Sequence, residues 1–491
     1  MLPFKNLLKI DKNNEEAVFR QIALQLVLLI QKGILLPAME LPSTRSLALD
    51  LGLHRKTVMA AYNDLLTEDW IESEERKGYR VSAHLPIVKP RTYSSQSHVG
   101  YSGQSGFAFT QLDHVPPLPV ITTGCKVIVD DGFPETAIFP IEKMAKEYRK
   151  LLTYPTLKKS TTTWNIGGSQ HFKEALSSFL NDSRGLNILP ENLLITRGAQ
   201  MAIYIAAALI IKPGDNVLVT DPNYFIADAA FKQLGAQLIH IPVDGEGMDV
   251  DAVEEALRTK NIKLLYIIPH HHHPTTVTLS SPRRTQLLAL IRAYQLPVIE
   301  DDYDYDFQYQ YSPYLPLASG EHNGNIIYIG SLTKVLGANF RLGYMISTTD
   351  FLYNALKLKS LIDLRGDAMM ETAVASLMQS GEFSRFIKRA NKLYGSRCNY
   401  ASDLISAELP QVIDFTKPQG GMALWLKFRA DYPLARILGK ASSLGLQLAG
   451  SGYYQGKYAH HNAIRFGFAS IDEHEIDYAV AILKKITDRS F

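Results

Sequence analysis

The residue of this chain with the clearest chemical potential is Lys334, in the segment Ser331-Leu332-Thr333-Lys334. The segment follows the apolar run 326–330, which is typical of a strand, and α/β sheets bind ligands beyond the carboxyl ends of their strands. A lysine that forms a Schiff base must lose its proton near neutral pH. This requires burial or a neighbouring cation, and Arg341 could supply that charge. The segment taken alone is also compatible with a solvated basic loop.

Two other strand-like runs are followed by residues that suit a phosphorylated, planar ligand. Gly198, Ala199 and Gln200 open a helix after the run 193–196, and the backbone amides and positive end of that helix can hold a phosphate. Tyr224 follows another run and can stack on a planar ring. An ordinary helix cap and a core or surface tyrosine are the alternatives.

Asp301 and Tyr303 follow a further run of strand type. A carboxylate at a strand end can pair with a protonated ring nitrogen, although the acidic residues within 300–306 could also bind a divalent cation. A phosphate cradle, a stacking ring, a carboxylate and a lysine are together what a pyridoxal phosphate site requires, with Lys334 for the aldehyde and Asp301 for the ring nitrogen. The predicted cofactor-binding set also includes Gly198, Ala199, Gln200, Tyr224, Ser331, Thr333 and Arg341.

The first eighty residues predict three helices followed by a β-hairpin. Apolar residues recur at helical spacing from Phe19 to Ile30, Ser43 can cap a second, short helix, and a third helix begins near His54. Two short helices joined through Gly52, with basic residues at the start of the second, are typical of a helix-turn-helix, which places that end in the major groove of DNA. A small helical protein-interaction module is the alternative.

This segment resembles the winged helix-turn-helix of the GntR family of bacterial repressors, in motifs such as Leu41-Pro42-Ser43-Thr44-Arg45 and Arg55-Lys56-Thr57-Val58. His54 stands where that family usually has a small hydroxyl residue, which leaves the base preference open. The resemblance implies a DNA-binding set that comprises Ser43, Arg45, His54, Arg55, Lys56, Thr57, Lys77 and Gly78.

From about residue 126 onward, short apolar runs alternate with helical patterns, which predicts a largely parallel α/β sheet covered on both faces. A helix-rich region and a smaller α+β portion follow it. Between residues 84 and 119, 16 of 36 residues are Pro, Ser, Gly or Gln, which predicts a linker. The predicted organisation is a winged helix-turn-helix at 1–83, a linker at 84–119 and a large α/β part with a small domain at 120–491.

Residues from about 126 to 489 resemble a fold-type I aminotransferase, and the whole chain resembles the MocR family of bacterial regulators. The motifs that carry the resemblance are Arg197-Gly198-Ala199-Gln200, Asp221-Pro222-Asn223-Tyr224, Glu300-Asp301-Asp302-Tyr303-Asp304, Ser331-Leu332-Thr333-Lys334 with Arg341-Leu342-Gly343, and Arg465-Phe466-Gly467-Phe468-Ala469. The resemblance implies that Lys334 is the catalytic lysine, that Arg465 binds the carboxylate of an amino-acid ligand and that Tyr303 lies near the cofactor's ring hydroxyl. It also implies a homodimer whose two DNA-binding modules meet two operator half-sites.

Four adjacent histidines, residues 270–273, stand where the family has small and polar residues before a Pro-Thr-Gly. Side chains of an extended segment alternate between its two sides, so at most two neighbours on one face could share an ion, and we predict no metal site. We predict instead that one histidine, His271 or His273, lies by the cofactor and that its imidazole titrates near physiological pH.

These features predict a transcription regulator that holds pyridoxal phosphate on Lys334 and senses an amino compound by forming an external aldimine. The alternative is a catalytically active, pyridoxal phosphate-dependent aminotransferase, in which Lys334 also moves the α-proton of its substrate. A third hypothesis is a DNA-binding scaffold that has lost the cofactor. The joint presence of Lys334, Asp301 and Arg341 argues against it.

The composition is that of an ordinary globular protein, with 46% hydrophobic residues, 20% charged residues and a formal net charge of +2. The chain contains two cysteines, Cys125 and Cys398, so no disulfide framework is expected and a reducing cytoplasm is favoured. The longest apolar stretch, 202–211, is about half of what spans a bilayer. We therefore expect a cytoplasmic protein with no membrane partner.

Overall fold

A computed structural model describes residues 3–11, 14, 16–74, 78–85, 105–115, 124–153, 166–309, 314–337, 339–448 and 461–488. The chain divides into two compact units, Met1–Thr110 and Gln111–Phe491. The predicted linker at 84–119 lies largely outside the described residues, so the domain boundaries stay a prediction. Within the part of the chain that is described, no helix is both long and apolar enough to cross a membrane.

The amino-terminal unit packs helices against a small sheet. Its elements in chain order are α1 Phe4–Leu7, α2 Val18–Gln31, β1 Glu40–Leu41, α3 Thr44–Leu51, α4 Arg55–Thr67, β2 Ile71–Glu74 and β3 Gly78–Val81. The helical spacing of apolar residues buries Ile22, Leu26, Leu47, Val58 and Tyr62 in one core. The predicted helices and hairpin are present, and β1 adds a third strand by pairing antiparallel with β3.

Side-chain caps begin both α3 and α4. Ser43 Oγ accepts a hydrogen bond from the backbone N–H of Ser46 at 3.1 Å, and His54 Nδ1 accepts one from the backbone N–H of Lys56 at 3.2 Å. Between the two helices, Gly52 has a φ of 61°, in the left-handed region that glycine adopts without steric cost. The turn orients the first residues of α4 outward, and Arg55 and Lys56 are exposed.

An eight-stranded sheet forms the centre of the carboxy-terminal unit, with the order β5-β12-β11-β10-β9-β6-β7-β8. The strands up to β12 are β4 Val127–Val129, β5 Leu193–Thr196, β6 Asn216–Asp221, β7 Gln237–Asp244, β8 Gly247–Met248, β9 Ile262–Ile267, β10 Val298–Asp302, β11 Ile326–Ser331 and β12 Gly343–Ile346. Strands β11, β10, β9, β6 and β7 are parallel neighbours. The largely parallel sheet that the sequence predicts is confirmed, whereas the antiparallel strand β12 between β11 and β5 was not foreseen.

Helices cover both faces of this sheet. The helices of the unit are α5 Ile141–Thr153, α6 Gln170–Arg184, α7 Ala199–Ile210, α8 Phe225–Gln233, α9 Val250–Thr259, α10 Ser281–Tyr294, α11 Thr333–Leu336, α12 Thr349–Ile362, α13 Ala368–Gln379, α14 Glu382–Glu408, α15 Leu434–Ser443 and α16 Glu473–Thr487. Alternate strand residues enter opposite clusters: Ile299 packs in one apolar cluster and Val298 in another. Both faces are therefore buried, as the continuous apolar runs predict.

A smaller sheet belongs to the carboxy-terminal part of the same unit. Its strands are β13 Ile413–Asp414, β14 Ala423–Phe428 and β16 Ala463–Gly467, while β15 Leu446–Leu448 pairs in parallel with β4. Strand β16 presents Arg465, which is paired with Trp425 of β14. The large sheet brings the ends of β5, β10 and β11 together with the start of β12, because Gly343 is paired with both Ser331 and Thr196. Polar residues distant in sequence therefore meet at one edge.

Candidate functional site

A cavity of about 380 Å³ lies at this edge of the large sheet. The predicted residues that line it are Ala199, Gln200, Tyr224, His273, Asp301, Tyr303, Ser331, Thr333, Lys334, Arg341 and Arg465. Two predicted residues do not line the cavity. Gly198 packs against the guanidinium of the lining residue Arg341, and His271 lies outside the lining. The lining residues Asp131, Phe133, Ile226 and Ile268 were not predicted.

Lys334 occupies the first turn of the short helix α11, directly after β11. Its Nζ donates a hydrogen bond to the backbone carbonyl of Gly132 at 2.6 Å and lies 4.1 Å from the centre of the Phe133 ring. Burial lowers the pKa of Lys334, and the charge of Arg465 acts in the same direction, against the opposing effect of Asp131. The sequence assigned this role to Arg341, but the cation that acts on Lys334 is Arg465, which β16 brings to the cavity.

Asp301 is 3% exposed at the end of β10, where its Oδ2 accepts a hydrogen bond from the Tyr266 hydroxyl at 2.7 Å. The other oxygen, Oδ1, is buried without a hydrogen-bond partner. Burial raises the pKa of Asp301 to about 7, although the hydrogen bond from Tyr266 opposes the shift. A buried acceptor without a partner in a cavity is suited to a hydrogen-bond donor on a ligand.

The acidic residues around Asp301 do not gather in one place, because successive side chains of a strand point to opposite faces. Glu300 accepts hydrogen bonds from the backbone N–H groups of Leu317 and Ala318, and Asp302 accepts one from the Tyr328 hydroxyl at 2.6 Å. Among the described residues, no group of three His, Cys, Asp or Glu side chains has the arrangement of a metal site.

The opposite end of the cavity can hold an anion. Helix α7 begins at Ala199 after Gly198, whose φ of 82° requires glycine, and a Cβ at Gly198 would lie 2.9 Å from the guanidinium of Arg341. Arg341 itself donates to the carbonyl oxygen of Arg197 at 3.3 Å. Thr333 Oγ1 is buried without a hydrogen-bond partner. Amides of a helix start, a hydroxyl donor and a guanidinium form a cradle of the kind that binds phosphate.

Tyr224 stands on the wall of the cavity at the start of α8. A buried network positions it: Asn223 Oδ1 accepts from the Thr220 hydroxyl at 2.8 Å, and Asn223 Nδ2 donates to Asp228 at 2.6 Å. The ring of Tyr224 meets the His273 ring edge to face, with 5.1 Å between the ring centres. An aromatic wall of this kind can pack against a planar ligand.

The four histidines have four different surroundings. His273 lines the cavity, and its Nε2 lies 3.6 Å from Asp131 Oδ2. His271 does not line the cavity; its Nδ1 lies 3.0 Å from Asp304 Oδ1, and its ring is so close to Gly420 that a Cβ on that residue would overlap it. His272 Nε2 lies 2.8 Å from the Thr220 hydroxyl, and His270 stands edge-on to the ring of Tyr314.

Burial lowers the pKa of His273 to about 4, and the charge of Arg465 adds to the effect. Burial also lowers the pKa of His270 and of His272 to about 3. The expectation that a histidine beside the cofactor titrates near physiological pH is therefore not met by His273, the histidine that reaches the cavity. The sequence could not show the burial that keeps this imidazole neutral.

Arg465 is 2% exposed and reaches the cavity from β16. It donates to the backbone carbonyls of Asp131 at 2.8 Å and Pro274 at 3.1 Å, and its Nη2 lies 3.5 Å from the Tyr303 hydroxyl. The Tyr303 hydroxyl donates in turn to the carbonyl oxygen of His271 at 2.8 Å. These contacts hold the guanidinium in place at the cavity, where its charge is available to an anionic ligand group.

The residues present fit the pyridoxal phosphate that the sequence resemblance implies. Asp301 offers a buried oxygen for the ring nitrogen, and Lys334 has an amine whose pKa is lowered. The phosphate would be held at the start of α7, by Ser331 and Thr333, and by Arg341. Tyr224 and Ile268 also line the cavity. The site residues as a set stay a prediction that binding measurements must test.

The predicted DNA-binding residues lie along one turn of the amino-terminal unit. Arg45, His54, Arg55 and Lys56 are exposed at the starts of α3 and α4, and Thr57 is partly buried. Arg55 Nε lies within 3.4 Å of the Thr44 hydroxyl, to which it donates. Ser43 caps α3, Gly78 opens β3 with a φ of 100°, and Lys77 falls outside the described residues.

Two family profiles match the chain. The profile of aminotransferase class I and II matches residues 134–483, and that of bacterial regulatory proteins of the gntR family matches residues 19–81. The first of these matches contains most of the cavity lining, and the second runs from the second residue of α2 to the end of β3.

Individual relatives likewise include both aminotransferases and transcription regulators. The chain is 27% identical over 372 residues to aromatic-amino-acid aminotransferase 1 of Thermococcus litoralis, an alignment that covers 73% of this chain and 87% of that protein. It is 25% identical over 422 residues to the probable rhizopine catabolism regulatory protein MocR of Rhizobium meliloti, covering 86% and 84% of the two chains. The crystal structure of Pyrococcus horikoshii kynurenine aminotransferase in complex with PMP superposes with a TM-score of 0.69 at 26% identity, over 75% of this chain and 92% of that one.

Proposed function

The chain belongs to the aminotransferase class I and II family and, through the GntR-family domain that precedes that domain, to the MocR family of transcription regulators. From this premise we propose that it binds pyridoxal phosphate at Lys334, senses a small amino compound there and changes its binding to DNA in response. The fold, an amino-terminal winged helix-turn-helix and a fold-type I aminotransferase domain, is the one that the sequence predicts.

One observation carries the proposal: a single chain contains both an exposed basic helix start and a cavity lined by a partly buried lysine. Arg55 and Lys56 are solvated at the start of α4, as contacts to DNA phosphates require. Lys334, in contrast, has a lowered pKa inside the cavity. A metabolic transaminase has no use for a DNA-binding module, so the combination favours a regulator.

When bound, pyridoxal phosphate supplies an aldehyde that reacts reversibly with amines and a ring that withdraws electrons. The chain's own residues provide the rest. Lys334 Nζ offers an amine that gives up its proton more readily than an ordinary lysine, Asp301 Oδ1 accepts a hydrogen bond, and Arg465 with Tyr303 binds the anionic group of a ligand. The buried walls exclude water from these groups and strengthen their interactions.

We also propose a homodimer, because operator half-sites require two DNA-binding modules. Exposed apolar side chains at the end of α12 support a subunit contact: Leu361 is 84% exposed, Ile362 53% and Leu364 62%. Three such residues in four positions form an apolar patch of the kind that is covered in assemblies.

The test is a DNA-binding measurement with the full chain. Duplexes would be enriched from a random pool, and their affinity measured without cofactor, with pyridoxal phosphate, and with pyridoxal phosphate plus each member of a panel of amines and amino acids. We expect one compound class to change the affinity at least about fivefold, the lower end of typical allosteric coupling. Equal affinity under all conditions, in a protein whose visible spectrum shows bound cofactor, would contradict the proposal.

A working aminotransferase is the second candidate, and the lowered pKa of Lys334 favours it because an amine that gives up its proton more readily is better suited to acid–base catalysis. The same panel of amines and amino acids distinguishes the enzyme from the sensor. Steady formation of an oxo acid from an amino acid would identify an enzyme, whereas a stable spectral change without turnover would identify a sensor.

A further inference from the structure

One charged group in the cavity is not used by the cofactor site described above. Asp131 lines the cavity, and its side chain is 25% exposed. Its backbone is held on both sides, because its carbonyl oxygen accepts from Arg465 Nε at 2.8 Å and the carbonyl oxygen of the next residue, Gly132, accepts from Lys334 at 2.6 Å. The carboxylate is therefore fixed beside the reacting amine.

Asp131 is ionised at neutral pH, but no charged partner touches its carboxylate among the described residues. Burial acts to raise the pKa of Asp131, but the hydrogen bond with His273 and the charges of Lys334 and Arg465 hold that pKa below its ordinary value. Within 4 Å, the only ionisable partner among the described residues is His273, at 3.6 Å. Because the pKa of His273 is lowered to about 4, this partner is uncharged at neutral pH. An ionised carboxylate thus faces the cavity with no cation within 4 Å among the residues that the structure describes.

The charges around Asp131 change when Lys334 is neutral, as the proposed function requires. Asp131 then loses one of the two cations that act on it, and the remaining one, Arg465, is directed at carbonyl oxygens and Tyr303. A desolvated anion beside a neutral amine favours a new cation at that place.

We propose that Asp131 is the binding subsite for a second, cationic group of the sensed amino compound. The inference rests on the proposed function and narrows its ligand: the compound carries one amine that reaches Lys334 and another ammonium or amidinium group that reaches Asp131. A basic amino acid, with its carboxylate at Arg465, and a diamine without a carboxylate both satisfy this chemistry. Acidic amino acids are disfavoured, because a second carboxylate near Asp131 meets a like charge.

The experiment measures calorimetric dissociation constants of the full chain loaded with pyridoxal phosphate. The probes are matched pairs: L-ornithine against L-norvaline, which lacks the terminal amine, and 1,4-diaminobutane against n-butylamine, with L-glutamate as the acidic compound. We expect each cationic probe that binds to do so at least about tenfold more tightly than its uncharged partner. If the pair that contains L-ornithine binds more tightly, the sensed compound is a basic amino acid; if the pair that contains 1,4-diaminobutane does, it is a diamine.

Substitutions of Asp131 test whether its carboxylate causes the preference for cationic probes. Asp131→Asn should reduce the ratio within each pair to about one, and Asp131→Glu should preserve a preference for the cationic probe. The matched control is Asp403→Asn, which removes an exposed carboxylate distant from the cavity lining and should leave both ratios unchanged.

Several outcomes would overturn the inference. Equal binding of charged and uncharged probes, tighter binding of L-glutamate, or no binding of any probe at millimolar concentration would do so. A uniform loss of affinity for all probes in Asp131→Asn would show a general charge-balancing role instead. A different result would contradict the proposed function alone. If Lys334→Ala still bound 1,4-diaminobutane with undiminished affinity, and this binding still depended on Asp131, the cation subsite would be supported and sensing through Lys334 would be excluded.

Discussion

The start of α4 and the cavity of the aminotransferase domain use the same residue types in opposite surroundings. Arg55 and Lys56 are exposed, and water solvates their charges. Arg465 is 2% exposed, and Lys334 lies where burial lowers its pKa. The first pair interacts with whatever approaches from solution, whereas the second pair interacts with neighbours fixed by the fold.

The histidines show the same contrast. His54 is exposed and caps α4 through its Nδ1, whereas His270 is 2% exposed and burial lowers its pKa to about 3. A substitution in the exposed region should therefore change binding without changing stability, and one in the buried region should change chemistry, pH dependence or both. Four substitutions test this difference, starting with the largest expected effect.

Lys334→Ala should abolish the visible absorbance of covalently held pyridoxal phosphate, because no other described residue brings an amine into the cavity. The matched control is Lys357→Ala, which removes an exposed lysine that lies over the ring of Tyr353 and does not line the cavity. An absorbance spectrum of each purified variant with added cofactor gives the result. A normal spectrum in Lys334→Ala would contradict the assignment of the lysine.

Asp301→Asn should weaken cofactor binding by about 10- to 100-fold, since a charge-assisted hydrogen bond to a buried oxygen is lost. The cofactor-free variant should nevertheless be more stable than the wild type at pH 8. The folded-state pKa of Asp301 is about 7, above the ordinary carboxyl value, so the folded wild type carries a desolvated charge above pH 7 that the variant lacks. A carboxyl pKa raised from 3.8 to about 7 corresponds to a gain of up to about 4 kcal/mol in the free energy of unfolding at pH 8.

This gain should shrink as the pH falls from 7 toward the ordinary carboxyl pKa of 3.8, because the folded carboxyl is already neutral in this range and the unfolded one becomes progressively protonated. Urea unfolding of the two proteins at pH 8 and pH 5, without cofactor, measures the difference. A variant that is less stable than the wild type at pH 8 would show that the hydrogen bond from Tyr266 outweighs the cost of the buried charge.

Arg55→Ala should lower the affinity for an enriched DNA duplex by about tenfold and reduce the slope of log affinity against log salt by about one, as expected for a single phosphate contact. Its unfolding free energy should stay within about 0.5 kcal/mol of the wild type. Lys32→Ala, at an exposed position after α2, is the control that should leave DNA binding unchanged. Unchanged binding by Arg55→Ala would remove the start of α4 from the DNA-facing surface.

His270→Phe should alter the acid sensitivity of the aminotransferase domain. Because the folded-state pKa of His270 is about 3, the unfolded chain takes up a proton below pH 6.5 that the folded protein does not, and stability falls between pH 6.5 and about 3. The variant should lose this contribution, a slope smaller by up to about 1.4 kcal/mol per pH unit. Unfolding free energies measured between pH 4 and 6.5 test this, and parallel curves would show that His270 does not contribute.

Much of the molecule follows from local sequence. The alternation of apolar runs and helical patterns indicated the parallel sheet, and the strand-end motifs identified Lys334, Asp301 and Arg341, because strand ends at one edge of a sheet are neighbours whatever the loops do. The helix starts at Ser43 and His54 were likewise visible as caps between apolar periods. These signals depend on residues only a few positions apart.

Other parts of the site depend on contacts between residues far apart in sequence. Asp131, His273 and Arg465 meet in one cavity although more than a hundred residues separate each from the next. Asp131 follows the short strand β4, a signal that was present but is shared by many surface carboxylates. The sequence also named the wrong cation beside Lys334, since Arg341 lies nearer in sequence than Arg465 but at the other end of the cavity.

The sequence by itself therefore determined which residue types stand at which strand and helix ends, because backbone periodicity is local. The tertiary structure decided which of those side chains share a buried space: His273 rather than His271 lines the cavity, and Asp301 rather than Asp302 points into it. The physical reason is desolvation. The charge state of Lys334, Asp301 and His273 depends on how far burial removes water from each of them, and only the packing of distant segments determines that burial.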